Sequence, residues 1–235
     1  MDRNQEELGI HILENVRNEL YYYFPYLDGA FACISGKGSE ETRTIGTDGE
    51  FFLFSPEYLL ELYVKKPEAV RRGYLHMLLH CLYLHLFREN QEDRRLWNLA
   101  CDIAVEQIIS REKIPVLETG GNEKKIRKKV FHMLGNGADS AEKICQKLKD
   151  QVFPFRLEEM EEAFHFDDHS LWDACTGEKG KRTKEVLDAV VRNHAVYFAA
   201  VGGAGALLSK CITKSEVICY DDLGAEAIRK ITVEH

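Results

Sequence analysis

The sequence predicts a helix-rich α+β domain with a small antiparallel sheet, followed by a short α/β segment. Three observations carry that reading. Apolar residues recur at helical spacing up to residue 173; β-favouring runs are confined to residues 30–54; and beyond residue 177 glycine-rich turns alternate with helical and β-like runs. Hydrophobic residues at 45%, charged residues at 30% and only five prolines describe a folded chain rather than a disordered or collagenous one.

From Glu6 to Phe24 the apolar positions Leu8, Ile12, Val16, Leu20 and Phe24 trace an amphipathic helix that Pro25 ends. AFACIS (30–35), TRTIGTDG (42–49) and FFLF (51–54) are bounded by Gly, Ser and Asp and predict a small antiparallel meander. Pro56 and Pro67 suit the first turns of two helices, the second carrying the run YLHMLLHCLYLHLF (74–87). RRLWNLACDIAVEQII predicts another helix from about Arg94 to Ile109. Residues 110–138, rich in Gly, Lys and Glu, predict a loop. SAEKICQKLKD is a short helix opened by Asp139 or Ser140, and HFDDHSLWD (165–173) is an ordered loop or domain end. The texture changes near residues 173–177, which divides the chain into segments 1–173 and 177–235.

The formal net charge of −8 argues against a general affinity for nucleic acid or anionic membranes. The local basic run Lys124, Lys125, Arg127, Lys128 and Lys129 reads as a solvated helix face or loop. No apolar stretch reaches the roughly 20 residues that span a bilayer, and the N-terminus is acidic, so a cytoplasmic protein is expected. Seven cysteines without a CxxC pair fit reduced thiols and offer no ligand set for an iron–sulfur cluster. Cys81 and Cys101 sit among apolar neighbours and are expected to be buried and inert.

Chemistry concentrates in the histidine run. Residues four apart on a helix lie about 40° apart, so His76 and His80 project from one face and can share an ion. His85, nine residues from His76, lies about 180° round a continuous helix and is not expected to join them. Asp102, on the next helix, is the best third ligand; two imidazoles and one carboxylate suit zinc, or another divalent metal, with a position left for water. Glu106 lies one turn on from Asp102 and is an additional ligand, an acceptor for a histidine N–H, or an acid/base group. For His165, Asp167, Asp168 and His169, a loop capped by Asp and Ser is preferred to a second ion site. If the three histidines are merely core, the chain is a non-enzymatic interaction module.

LHMLLHCLYLH followed by LWNLACDIAVEQII, with SPEY (55–58) and HFDDHSLWD, resembles the metallopeptidase domain that precedes a von Willebrand factor A-like domain in a bacterial family. The resemblance covers roughly residues 5–173 and implies a zincin-like fold. It matches His76 and His80 to the histidines of HExxH, Trp97 and Asn98 to a Trp-Asn pair, and Asp102 to the aspartate that follows. Met77 stands where that family has glutamate. In a zinc peptidase the glutamate takes the proton of the metal-bound water, worth about 10²–10⁴ in rate. A thioether cannot, so metal binding is expected to survive and efficient peptide hydrolysis is not.

The last part of the chain, with KGKRT, AVYFAAVGGAGALL and DLGAEAI in order, is similar to the C-terminal part of the β subunit of class I fumarases and L-tartrate dehydratases. The resemblance implies a hydro-lyase component acting on a small dicarboxylate, with the [4Fe–4S] cluster on a partner α subunit. Lys179, Arg182 and Thr183 supply cationic and hydroxyl donors, and Gly202 and Gly203 let the backbone approach an anion. The resemblance covers only about 60 residues, so autonomous hydratase activity is not expected. A chain that reads as two partial families joined near Cys175 is also what a chimeric gene product would give.

Overall fold

A computed structural model of the chain describes residues 3–87, 93–135, 140–172, 212–219 and 228–233. The first helix, α1 (Arg3–Tyr23), buries Ile12, Leu13, Val16 and Leu20, as the spacing predicts, and Pro25 opens a short 3-10 turn after it. AFACIS departs from expectation. Its first four residues lie in a short helix, α2 (Asp28–Cys33), and the strand β1 (Ser35–Gly38) begins only afterwards. One helical turn is enough to bury Phe31, whose ring centroid lies 6.2 Å from that of Tyr74; local β propensity yields to that packing.

Strands β2 (Ile45–Thr47) and β3 (Phe51–Phe54) form a hairpin across a turn in which the Asp48 side chain accepts from the N–H groups of Glu50 and Phe51. Gly49 takes the left-handed φ of 83° that this turn needs. The sheet has the order β1-β3-β2, with β1 parallel to β3, so it is mixed rather than antiparallel throughout. The reason lies in FFLF. Phe52, Leu53 and Phe54 are all buried, and a continuous apolar run is most stable as a central strand covered on both faces. Placing it centrally sends β1 to its other edge. Helix α1 closes one face, where a Cβ on Gly9 would stand only 2.3 Å from the Phe54 ring; only glycine admits that approach.

Helices α3 (Pro56–Lys65) and α4 (Pro67–Leu82) follow, each with proline in its first turn. Residues 70 and 72–81 of α4 are buried, so this helix is the core of the domain and its histidines are inside it. Against it lies α5 (Arg94–Glu112), capped by the Asp93 carboxylate accepting from Leu96 N–H.

The predicted loop over 110–138 is corrected: it contains α6 (Gly121–Leu134). Ile126, Val130 and Leu134, four residues apart, give it a buried stripe that the surrounding lysines obscure. Four of the five basic residues there face outward or to the helix flank, whereas Arg127 is buried. Helix α7 (Ala141–Asp150) is capped by Ser140, one of the two expected caps, and α8 (Leu157–Phe164) completes the helical layer.

Residues 165–172 then return across the sheet as an ordered strap. Asp168 N–H donates to Ile45 C=O at 2.7 Å, Thr42 donates to the Asp168 carboxylate at 2.9 Å, and Asp168 also caps the turn His169–Leu171 through Ser170 N–H. Gly46 and Gly73 make room for it: a Cβ on Gly46 would meet Asp168 O at 2.8 Å, and one on Gly73 lies beneath Phe166 O. Of the segment beyond residue 177, the structure describes an antiparallel pair, β4 (Ile212–Cys219) and β5 (Ile228–Val233), at the places where EVICY and ITVEH predicted strands. The KGKRT stretch, the glycine turn and the DLGAEAI helix, except for its last residue Ile228, which opens β5, lie outside the described residues. Among the described residues, no helix is long and apolar enough to cross a membrane.

Candidate metal centre

Helical periodicity brings the first two ligands together. His76 and His80 lie one turn apart on α4, both with no exposure to solvent, and their Nε2 atoms are 2.8 Å apart. From α5, Asp102 Oδ1 stands 3.3 Å from His76 Nε2 and 3.2 Å from His80 Nε2. The three residues that the sequence nominated therefore converge.

Two more donors come from the strap. Asp167 Oδ1 is 3.4 Å from His76 Nε2, and His169 Nε2 is 3.0 Å from Asp102 Oδ1 and 3.1 Å from Asp167 Oδ1. Each of the five residues offers one atom, three nitrogens and two oxygens in all, and those atoms lie within 4.8 Å of one another. The segment is the Asp-capped loop that the sequence predicts, with Asp168 as the cap and His165 exposed, but Asp167 and His169 also join the cluster of His76, His80 and Asp102, which the sequence reading did not foresee. The signal was present. In extended chain, alternate residues point the same way, so D-x-H aims Asp167 and His169 to one side and Asp168 to the other.

The arrangement fits a cation. Donors about 2.0–2.1 Å from a common ion are roughly 3.0–3.4 Å apart along the edges of its coordination polyhedron, and the six close separations here run from 2.8 to 3.4 Å. Asp167 Oδ2, the oxygen beside the converging Oδ1, is buried without a hydrogen-bond partner.

Behind the donors lies an orienting layer. His76 Nδ1 is 3.0 Å from Glu106 Oε1, while Glu106 Oε2 accepts from Arg72 Nε at 2.8 Å and Nη2 at 2.7 Å. Arg72 also donates to Leu117 C=O and Ser110 Oγ, and Arg127 Nε lies 3.8 Å from the same Glu106 oxygen. Both guanidinium groups face the ring of Phe166 in the strap. Glu106 is therefore on the Nδ1 side of His76, away from the converging Nε2 atoms, with both oxygens engaged. Of its three expected roles the geometry matches the acceptor, and neither the additional ligand nor the acid/base group. Met77 is buried in the core. His169 stacks on Trp172, with ring centroids 3.6 Å apart at 22°.

Charge within the cluster is shared unevenly. Burial works against ionised forms throughout, but hydrogen bonds to Asp102, Asp167 and Glu106 hold His76 well above the ordinary imidazole value. Burial likewise opposes charge on His169, yet the Asp102 and Asp167 carboxylates push it up to about 10. His80, buried beside charged His76, is pushed down to about 4. The two aspartates, despite burial, are held well below the usual carboxylate range by His169 and His76.

Two families match the chain. The family described as "Putative metallopeptidase domain" matches residues 16–186, and that described as "Fumarase C-terminus" matches residues 169–235. The two matches overlap over residues 169–186. Among curated proteins, the chain is 42% identical over 57 residues to the class I aerobic fumarate hydratase of Escherichia coli K12 and 40% identical to the anaerobic enzyme of the same strain. It is 39% identical over 57 residues to fumarate hydratase 2 of Leishmania major. Each match covers 24% of this chain, and the chain spans only 10% of each of these relatives. No solved structure matches. Lys179, Arg182, Thr183, Gly202 and Gly203 fall in the C-terminal match but outside the described residues.

Proposed function

The chain belongs to this metallopeptidase-domain family, and from that premise we propose that it holds one divalent cation on His76, His80, Asp102, Asp167 and His169, in a site that binds metal without efficient hydrolysis. The observation that carries the reading is the convergence of five donor atoms from two helices and a strap that are distant in sequence. Zinc is the proposed ion, on imidazole and carboxylate donors, in a cytoplasmic protein. When bound, the ion would supply positive charge that the two aspartates neutralise and would fasten the strap to α4 and α5.

Two features set the site apart from a peptidase centre. The position of the proton-accepting glutamate is occupied by Met77, and five protein donors leave a zinc ion no position for water. Purified protein is expected to carry about one ion per chain, lost in Asp102→Ala and Asp167→Ala. Equal metal content in wild type and both variants, measured by mass spectrometry, would reject the site.

A second reading follows from the C-terminal match. Residues 177–235, taken as a separate unit from 1–173, act as a hydro-lyase component toward a small dicarboxylate, with Lys179, Arg182 and Thr183 contacting carboxylate oxygens and Gly202 and Gly203 giving backbone access. It requires an iron–sulfur partner chain. Fumarate turnover on adding a cluster-loaded α subunit is the expected result; no turnover with a partner shown to be active with its own β subunit would reject it.

A further inference from the structure

We infer that His85, the third histidine of the run, is the positioning residue of His80: it accepts the hydrogen bond that fixes which nitrogen His80 presents to a cation. This rests on the reading that the cluster holds an ion.

On a continuous helix His85 would sit about 140° around the axis from His80 and could not reach it. The chain does not continue as a helix. Helix α4 stops at Leu82, and Leu84 takes φ 57°, a left-handed conformation that a branched side chain rarely adopts. The turn closes through Leu84 N–H to Cys81 C=O and Phe87 N–H to Leu84 C=O. Its effect is to fold His85 back under α4, where it is buried and its Nδ1 lies 3.0 Å from His80 Nδ1. Tyr83 stacks on the ring at 5.8 Å and 24°, and Trp97 meets it edge-on at 6.4 Å, so the imidazole is held in plane.

The proton count then assigns the tautomers. A neutral imidazole has one N–H. With His80 Nε2 turned to the other donors, its proton resides on Nδ1 and must be donated; His85 Nδ1 is therefore the acceptor and carries its own proton on Nε2. His76 is served by a carboxylate acceptor, Glu106, whereas His80 is served by a second imidazole. The two helix ligands thus differ in their support although they share a face.

The test uses zinc and the whole chain. His85→Phe keeps a ring but removes the acceptor, and is expected to weaken zinc binding about 10- to 100-fold, the usual effect of losing an outer partner. His85→Asn, whose amide oxygen can stand near the position of Nδ1, is expected to restore most of it. Nitrogen NMR of the zinc-loaded wild type should show His80 protonated on Nδ1, a readout that needs no variant to fold. Phe binding zinc as tightly as wild type, or His80 protonated on Nε2, would overturn the proposal. Absence of zinc from wild type would overturn the metal reading and this one with it, whereas unchanged affinity in the Phe variant alone leaves the metal reading standing.

Discussion

Raising the pH by one unit through neutrality is expected to tighten cation binding about a hundredfold. Without a cation, His76 and His169 hold protons at pH 7, the first well above its ordinary value and the second at about 10, while His80 at about 4 is already neutral. A cation takes the Nε2 lone pairs, so two protons must leave, and each displaced proton contributes a factor of about ten per pH unit. Competition against a chromophoric chelator at pH 6.5, 7.0 and 7.5 measures the slope. Calorimetry in buffers of different ionisation enthalpy counts the protons. A pH-independent affinity would show that the imidazoles do not bind the ion.

The same groups set the stability of the empty protein, with opposite signs on the two sides. His169 has its value raised on folding, so its contribution is fully present below about 6.5 and is lost as the pH rises toward about 10. Asp102 and Asp167 have theirs lowered, so their contribution is present above 3.8 and is lost in acid. Alkaline pH therefore weakens the proton-held cluster in the range where a cation would most readily replace the protons.

How far the sequence could be read follows from the kind of signal each part carries. Helices α1, α3, α4, α5 and α7 announce themselves by spacing and by caps such as Pro56, Pro67 and Ser140, because those signals are local. Helix α6 was hidden because lysines surround the Ile126–Val130–Leu134 stripe, and composition outweighed period in the reading. The mixed sheet was not legible at all: parallel pairing of β1 with β3 depends on where FFLF finds cover, which is a tertiary matter.

The site divides along the same line. His76 and His80 are one helical turn apart, and Asp102 was nominated from the next helix, so the sequence exposed three of the five donors. Asp167 and His169 join it only because Gly46 and Gly73 let the strap lie close to β2 and α4. His85 was excluded as a ligand and is not among the five donors, yet it reaches His80 Nδ1 because the helix ends at Leu82.

Arg72→Ala is expected to cost about 3–5 kcal/mol, the usual penalty for removing one partner of a buried ion pair. Arg72 is 3% exposed and Glu106 not at all, so the truncation strands a carboxylate where no water can reach it. It also leaves Leu117 C=O and Ser110 Oγ without their guanidinium donor. Arg127, 3.8 Å from the same oxygen, offsets part of the lost charge but is committed to Ala163 C=O and Thr119. Against a total stability of about 5–15 kcal/mol, such a loss consumes roughly a fifth or more of the margin. Denaturant unfolding measures it, and Arg72→Met combined with Glu106→Gln separates charge from packing. The double variant removes both charges at similar volume and is expected to recover much of the stability. Metal affinity should not recover with it, because glutamine is a weaker acceptor than carboxylate for His76 Nδ1–H. If the double variant regained full affinity as well, Glu106 would be a packing residue, and the orientation of His76 would have to come from α4 alone.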